Sequence, residues 1–167
     1  MTSLFPHPDH AEIQPYGHTI LTLHVLARGF LSGSFISLFF TGGSVLLNRS
    51  PGLPLSTRIL SNSARGTLWG TGLIGLALIG RMWDREDIEW KDRSWRLLGN
   101  EGEMKTDWWQ IGGATLGAAV ALGAGKRVNG AKMLKGWEKG LGGAGLGSFG
   151  GMIGYHTSKN IGSKVKQ

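Results

Sequence analysis

The 167-residue chain contains no cysteine. This excludes disulfides, thiolate zinc sites, cysteine-ligated iron–sulfur clusters and a cysteine nucleophile, and it leaves the redox compartment open. Charge is scarce too, at 17% of residues. Basic residues are missing from the start: the first arginine is Arg28 and the first lysine Lys91. Neither the Arg-rich pattern of a cleavable organelle presequence nor the basic n-region of a secretory signal is therefore expected. Any membrane-targeting signal would be internal. Acidic residues are missing from the end, with none after Glu138.

Glycine is abundant, with 29 residues. No Gly-X-Y period runs through them, which excludes a collagen helix. They alternate with Leu, Ala, Ile, Val, Phe and Trp rather than with the Ser, Pro and charge of a flexible linker. That mixture suits a packed environment. The mean hydropathy of −0.05 understates it, because glycine scores as slightly polar.

The densest stretch is GLGGAGLGSFGGMIG, residues 140–154. It holds the dinucleotide-binding spacing twice, as Gly140-x-Gly142-x-x-Gly145 and Gly145-x-Gly147-x-x-Gly150. That fingerprint needs a buried strand before it and an acidic residue about twenty positions after it. Here KMLKGWEK precedes and no acid follows, so the nucleotide reading fails on both sides. A phosphate loop ending in Gly-Lys-Ser/Thr is also missing.

Helical spacing accounts for the glycines better. Small residues recur every fourth position: Gly29, Gly33, Ser37 and Thr41; Gly66 and Gly70; Gly113, Gly117, Ala121 and Gly125; Gly143, Gly147 and Gly151. A neighbouring row is Gly136, Gly140, Ala144 and Ser148. Residues i and i+4 share a helix face, and a stripe of small ones lets two backbones approach, as membrane spans do. In water each interior glycine would cost about 1 kcal/mol of helix stability. In lipid the helix is enforced, because unpaired backbone groups are not tolerated.

The expected fold is therefore all-α and integral to a membrane: about four Gly-rich transmembrane helices plus an amphipathic surface helix. The spans are placed at about 19–47, 59–83, 108–125 and 137–155. An extended arm occupies 1–15, a polar loop 84–107, and a basic tail 158–167, so that 16–157 forms one membrane domain. Within the segment 81–107, six Lys/Arg and eight Asp/Glu interleave with Trp83, Trp90 and Trp95, which predicts the surface helix, ending near Gly99. Trp83, Trp108, Trp109 and Trp137, with Tyr16 and Tyr155, fall near span ends, where amphipathic rings prefer to sit.

The formal charge of +7 is read as membrane-flanking loops rather than as a nucleic-acid surface. The densest basic segment carries Lys126, Arg127, Lys132, Lys135 and Lys139, suited to anionic headgroups such as those of cardiolipin. Both basic loops, 48–65 and 126–139, are expected on the cytoplasmic or matrix side. Arg28 lies inside the first span, one turn after His24. It either snorkels to the interface or pairs with a lipid phosphate or a partner subunit; with no acid at matching depth in any span, a partner outside the chain is favoured. His7 and His10 resemble a metal-ligand fragment but stand on a proline-containing arm with no rigid frame. Asp84, Glu86, Asp87 and Glu89 alternate with Arg85, Lys91 and Arg93 as an ion-paired face. No catalytic, cofactor-binding or metal residue is assigned.

Two stretches, HTILTLHVLARGFLSGS at 18–34 and DREDIEWKDRSWRLLGNEGEMKTDWWQIGG at 84–113, together with the Gly-rich spans, resemble a small fungal mitochondrial inner-membrane protein of the kind found as an accessory subunit of respiratory complex I. The resemblance implies a structural, non-catalytic role with no redox centre, contacts to membrane-arm subunits and cardiolipin, and no nucleic acid or small-molecule substrate. The layout is also similar to the inner-membrane protein-translocase channel family. That family places an Arg four residues before an Asp after its first span; here Arg81 is followed at that distance by Arg85, and Arg85 by Glu89. A translocase component or an assembly factor is the alternative.

Overall fold

The computed structural model describes residues 5–47, 52, 54–124 and 134–164. Among them the chain is all-α. A short 3-10 turn, Ala11–Ile13, precedes helices α1 (Gly17–Leu46), α2 (Leu55–Met82), α3 (Asp87–Gly99), α4 (Glu101–Gly123) and α5 (Gly136–Lys164).

The chain folds as two antiparallel hairpins. α1 packs along α2, α4 along α5, and α5 also fits against α2 and α1. The start of α1, the end of α2, all of α3, the start of α4 and the end of α5 share one end of the bundle. The opposite end carries the end of α1, the starts of α2 and α5, and the end of α4.

Local chemistry sets the helix limits. α3 opens with Asp87 and Glu89 and closes with Arg96, each favourable to the helix dipole. Its i,i+4 pairs, Arg85–Glu89, Asp87–Lys91 and Asp92–Arg96, support an exposed helix. Its buried residues Ser94 and Leu98 turn inward, and a Cβ on Gly17 would lie 3.1 Å from the Lys91 backbone. α4 starts at Glu101, two turns before the expected span. Asn100 caps it, accepting hydrogen bonds from the backbone N–H of Gly102 (3.1 Å) and Glu103 (3.3 Å). α5 starts with a reach-back: the Glu138 carboxylate accepts the Lys135 N–H at 3.0 Å, half of a capping box.

Packing inverts the usual globular pattern. Among the described residues the buried apolar side chains are only five, Ile20, Leu31, Ala64, Met82 and Leu98, whereas Ser34, Ser37, Thr41, Thr57, Ser63, Thr67, Thr106 and Ser148 are all buried. Large apolar side chains point outward instead: Phe39, Phe40, Trp69, Leu73, Leu76, Leu116 and Val120 are each more than 59% exposed. The interior is small and hydroxyl-rich because glycine and serine allow backbones to touch. The bulky residues have nowhere to go but out.

The expected fold is met in its all-α part. Among the described helices only α1 is long and apolar enough to cross a membrane by composition. α2, α4 and α5 fall short because glycine and hydroxyls dilute their averages. Residues 5–15, the described part of the expected arm 1–15, lie docked on α3. Trp95 Nε1 donates to the Pro8 carbonyl at 2.7 Å, and the His7 ring stacks on Trp95 with centroids 5.2 Å apart. Gln14, fully buried, donates to the carbonyls of Pro6 and Pro15 at 3.0 Å.

Candidate functional site

Three constellations hold the hairpins, and together they contain most of the residues singled out from sequence. The first is a pair of glycine crossings. Between α1 and α2, a Cβ on Gly33 would overlap the Gly66 carbonyl, one on Gly66 would overlap that of Gly33, and Gly29 and Gly70 oppose each other in the same way. Between α4 and α5, Gly113 faces Gly147, Gly117 faces Gly143, and Gly151 sits on the Trp109 carbonyl. All nine glycines assigned to packing thus lie at crossings. Three more were missed. Gly17 admits α3. Gly142 rests on the Leu60 carbonyl, and a Cβ on Gly145 would come within 2.7 Å of the hydroxyls of Ser34 and Ser63. The last two form a second face on α5, turned away from α4.

The second constellation is the hydroxyl seam that this second face covers. Ser34 and Ser63 share a hydrogen bond of 2.7 Å, and Ser63 donates to the Gly142 carbonyl at 3.1 Å, so α1, α2 and α5 are joined in one chain. Ser37, Thr41, Thr67 and Ser148 donate to carbonyls of their own helices, which satisfies them without a partner helix. Nearer the far end, Asn62 donates to Thr41 at 2.8 Å, Arg58 to Ser44 at 2.6 Å, and Ser61 to Glu138 at 2.9 Å. Phe35 closes this side, its ring 5.0 Å from that of Phe149.

The third is a charged latch between α1 and α4, and it overturns the expectation of an outside partner for Arg28. The Arg28 guanidinium donates to Glu103 at 2.5 Å, and its Nη2 also lies 2.9 Å from Asp107 Oδ1. That second contact has ion-pair distance without hydrogen-bond alignment. His24 Nδ1 is 2.6 Å from Asp107 Oδ2. Gln110, one turn further along α4, donates to the Ala27 carbonyl at 2.7 Å. Asp107 is partly buried at 17% side-chain exposure, so its pairing counts for more than a surface contact would. One cation and one imidazole thus engage two carboxylates. The sequence signal was Asn100-x-x-Glu103, a helix start that puts Glu103 and Asp107 on one face of α4.

At the same end, His18 bonds Asp87 at 3.1 Å and stacks on Trp90 with centroids 4.3 Å apart. The ammonium of Lys91, then the imidazole of His18, holds the Asp87 carboxyl below its ordinary range. Trp83 and Trp137 are exposed, at the end of α2 and the start of α5. Trp108 and Trp109, 40% and 48% exposed, stand two turns inside α4 rather than at its start. Of the basic headgroup candidates, Lys135 is exposed and Lys139 half-buried at the start of α5; Lys126, Arg127 and Lys132 lie outside the described residues. Among the described residues no group of three or more His, Asp and Glu is arranged to hold a metal ion. His7 is engaged on Trp95, its Nε2 lying 3.1 Å from the Trp95 carbonyl oxygen. Compared with protein-family models, curated proteins and solved structures, the chain matches none.

Proposed function

We propose that this chain is an integral protein of the mitochondrial inner membrane, crossing it four times through α1, α2, α4 and α5. In this reading it is a non-catalytic accessory subunit of a respiratory complex, complex I (NADH:ubiquinone oxidoreductase) by the resemblance of residues 18–34 and 84–113. The observation that carries the membrane part is the inverted packing. Serine, threonine and glycine lie inside, while Phe39, Phe40, Trp69, Leu73, Leu76, Leu116 and Val120 lie outside. In water that arrangement would leave many apolar side chains hydrated, at about 25 cal/mol per Å². In hydrocarbon it is the favourable one, since small residues at helix contacts are what hold spans together there.

Charge supports the same depth in each helix. Uncharged runs cover 29–48, 66–80, 108–125 and 140–158; the shortest, in α2, is about 23 Å long at 1.5 Å per residue. Arg65 and Arg81 bound it, long enough to snorkel beyond a core of about 30 Å. Part of the shortfall of α2, α4 and α5 in average hydropathy lies at helix contacts, in Gly66, Gly70, Gly113, Gly117, Gly143 and Gly147.

A supporting part in a larger assembly fits an interior that binds helix to helix and an apolar outer surface left for neighbours. Cardiolipin at the Lys135 and Lys139 end fits the same role. Native electrophoresis of mitochondria in mild detergent, with mass spectrometry of each slice, tests it. Comigration with complex I at matching abundance is expected. Migration alone or in a smaller complex would overturn the subunit reading and favour a translocase component or assembly factor.

A further inference from the structure

The α4–α5 crossing leaves an open trough on its outer face, with a cavity volume of about 720 Å³. Its floor is glycine, from the crossing itself together with Gly112 and Gly150; Leu116 and Val120 form a wall, and Trp108 and Lys105 stand at one end. The volume falls within the range of ligand-binding clefts. From Lys105 to Val120 the trough follows fifteen residues of α4, or about 22 Å at 1.5 Å per residue.

Chemistry along the trough is graded. Among the described residues Lys105 is the one charged residue lining it. Its ammonium is held 2.8 Å from Glu101, an exposed carboxylate on the preceding turn, and such a surface pair is weak enough for another anion to share the cation. Everything beyond Trp108 and Trp109 is apolar or glycine. An acyl chain is narrower than a helix, which is about 10 Å across with its side chains, and it matches a lining that is apolar apart from a cation at one end.

We propose that this trough binds one anionic phospholipid, its phosphate on the Lys105 ammonium and one acyl chain along the glycine floor between α4 and α5. The inference rests on the membrane reading above, and it concerns a different surface from the basic segment 126–139.

The test uses the full chain purified in mild detergent, titrated with dioleoylphosphatidylglycerol or dioleoylphosphatidylcholine and read by native mass spectrometry. A Cβ at Gly112 or Gly150 meets nothing within 4 Å, so the double variant Gly112→Leu/Gly150→Leu fills the trough without touching the crossing. It is expected to weaken phosphatidylglycerol binding about tenfold, the effect of losing one good contact surface, with an unfolding midpoint no lower than that of the parent. Lys105→Gln, at an exposed position, is expected to erase the preference for phosphatidylglycerol over phosphatidylcholine. Undiminished binding by the filled variant, or an unchanged preference in Lys105→Gln, overturns the proposal. So does loss of a comigrating protein from the filled variant with its lipid binding intact, which assigns the trough to a partner helix. Alkaline extraction of membranes separates the two failures. Release of the chain into the supernatant sinks the membrane reading, whereas retention together with unaltered lipid binding sinks the trough alone.

Discussion

Adding a single methyl group to glycine should have opposite consequences at two sets of positions. At Gly33 an added Cβ would stand 2.8 Å from the Gly66 carbonyl carbon and 2.9 Å from the Gly70 Cα, and closer still to the Gly66 oxygen. Ordinary carbon contacts are about 3.5–4.0 Å, and backbone cannot swing aside, so α1 and α2 must part by roughly 1 Å. Overpacking of this kind costs about 1–3 kcal/mol. At Gly42, Gly72 and Gly80 the same atom meets nothing within 4 Å, and alanine's better helix propensity contributes between zero and about 1 kcal/mol. The two sets should therefore differ by about 2 kcal/mol, or roughly thirtyfold in the folding equilibrium. Unfolding of micelle-bound protein by added dodecylsulfate, followed by tryptophan emission, measures this. Gly33→Ala, Gly66→Ala and Gly147→Ala should unfold earlier than the parent, and Gly72→Ala and Gly80→Ala no earlier. If all five shift alike, the backbone crossings do not exist in the form described.

The charged latch should appear as coupling rather than as a sum: in a double-mutant cycle, Arg28→Met and Asp107→Asn together should cost less than the two separately, by about 1–3 kcal/mol. Ser63→Ala removes the middle of the α1–α2–α5 hydroxyl chain and should cost about 0.6–1.7 kcal/mol in detergent unfolding, the range for interhelical hydrogen bonds in membranes; no loss would show that the seam is filler. Asp87 gives a pH signature. Its carboxyl is held below the ordinary value, so its contribution is complete above about pH 4 and fades as pH falls through the lowered value. Protection factors of α3 amides should drop on acidification, and Asp87→Asn should flatten that dependence; an unchanged profile would remove Asp87 from the docking of α3 on α1.

Much of this architecture was legible in the spacing of single residues. Gly29 and Gly33 with Gly66 and Gly70, and Gly113 and Gly117 with Gly143, Gly147 and Gly151, mark faces by period alone, because a helix face repeats at three to four residues. Which face meets which helix was not legible. Gly142 and Gly145 look like further members of a glycine tract, and only the arrangement of α1 and α2 shows that they form a separate face. Arg28 was misread for a related reason. Hydropathy places the start of a span where charge stops, at Trp108, but a helix starts where its backbone is capped, at Asn100, and the two turns between carry Glu103 and Asp107. The strap of residues 5–15 has no period for a pattern to find. Its position depends on Trp95 and on a buried amide at Gln14.

The two hairpins also imply an order of assembly. Each has its own glycine crossing, so α1–α2 can close before α4 has left the ribosome. Most seam hydroxyls bond within their own helices, so a lone first hairpin has few unmet polar groups on the face that α5 later covers. Arg28 is the exception. Until α4 arrives with Glu103 and Asp107, its cation has no carboxylate, which gives a half-made chain a charged mark that the finished one lacks. In the membrane reading proposed above, that unpaired cation sets the unfinished chain apart from the completed one.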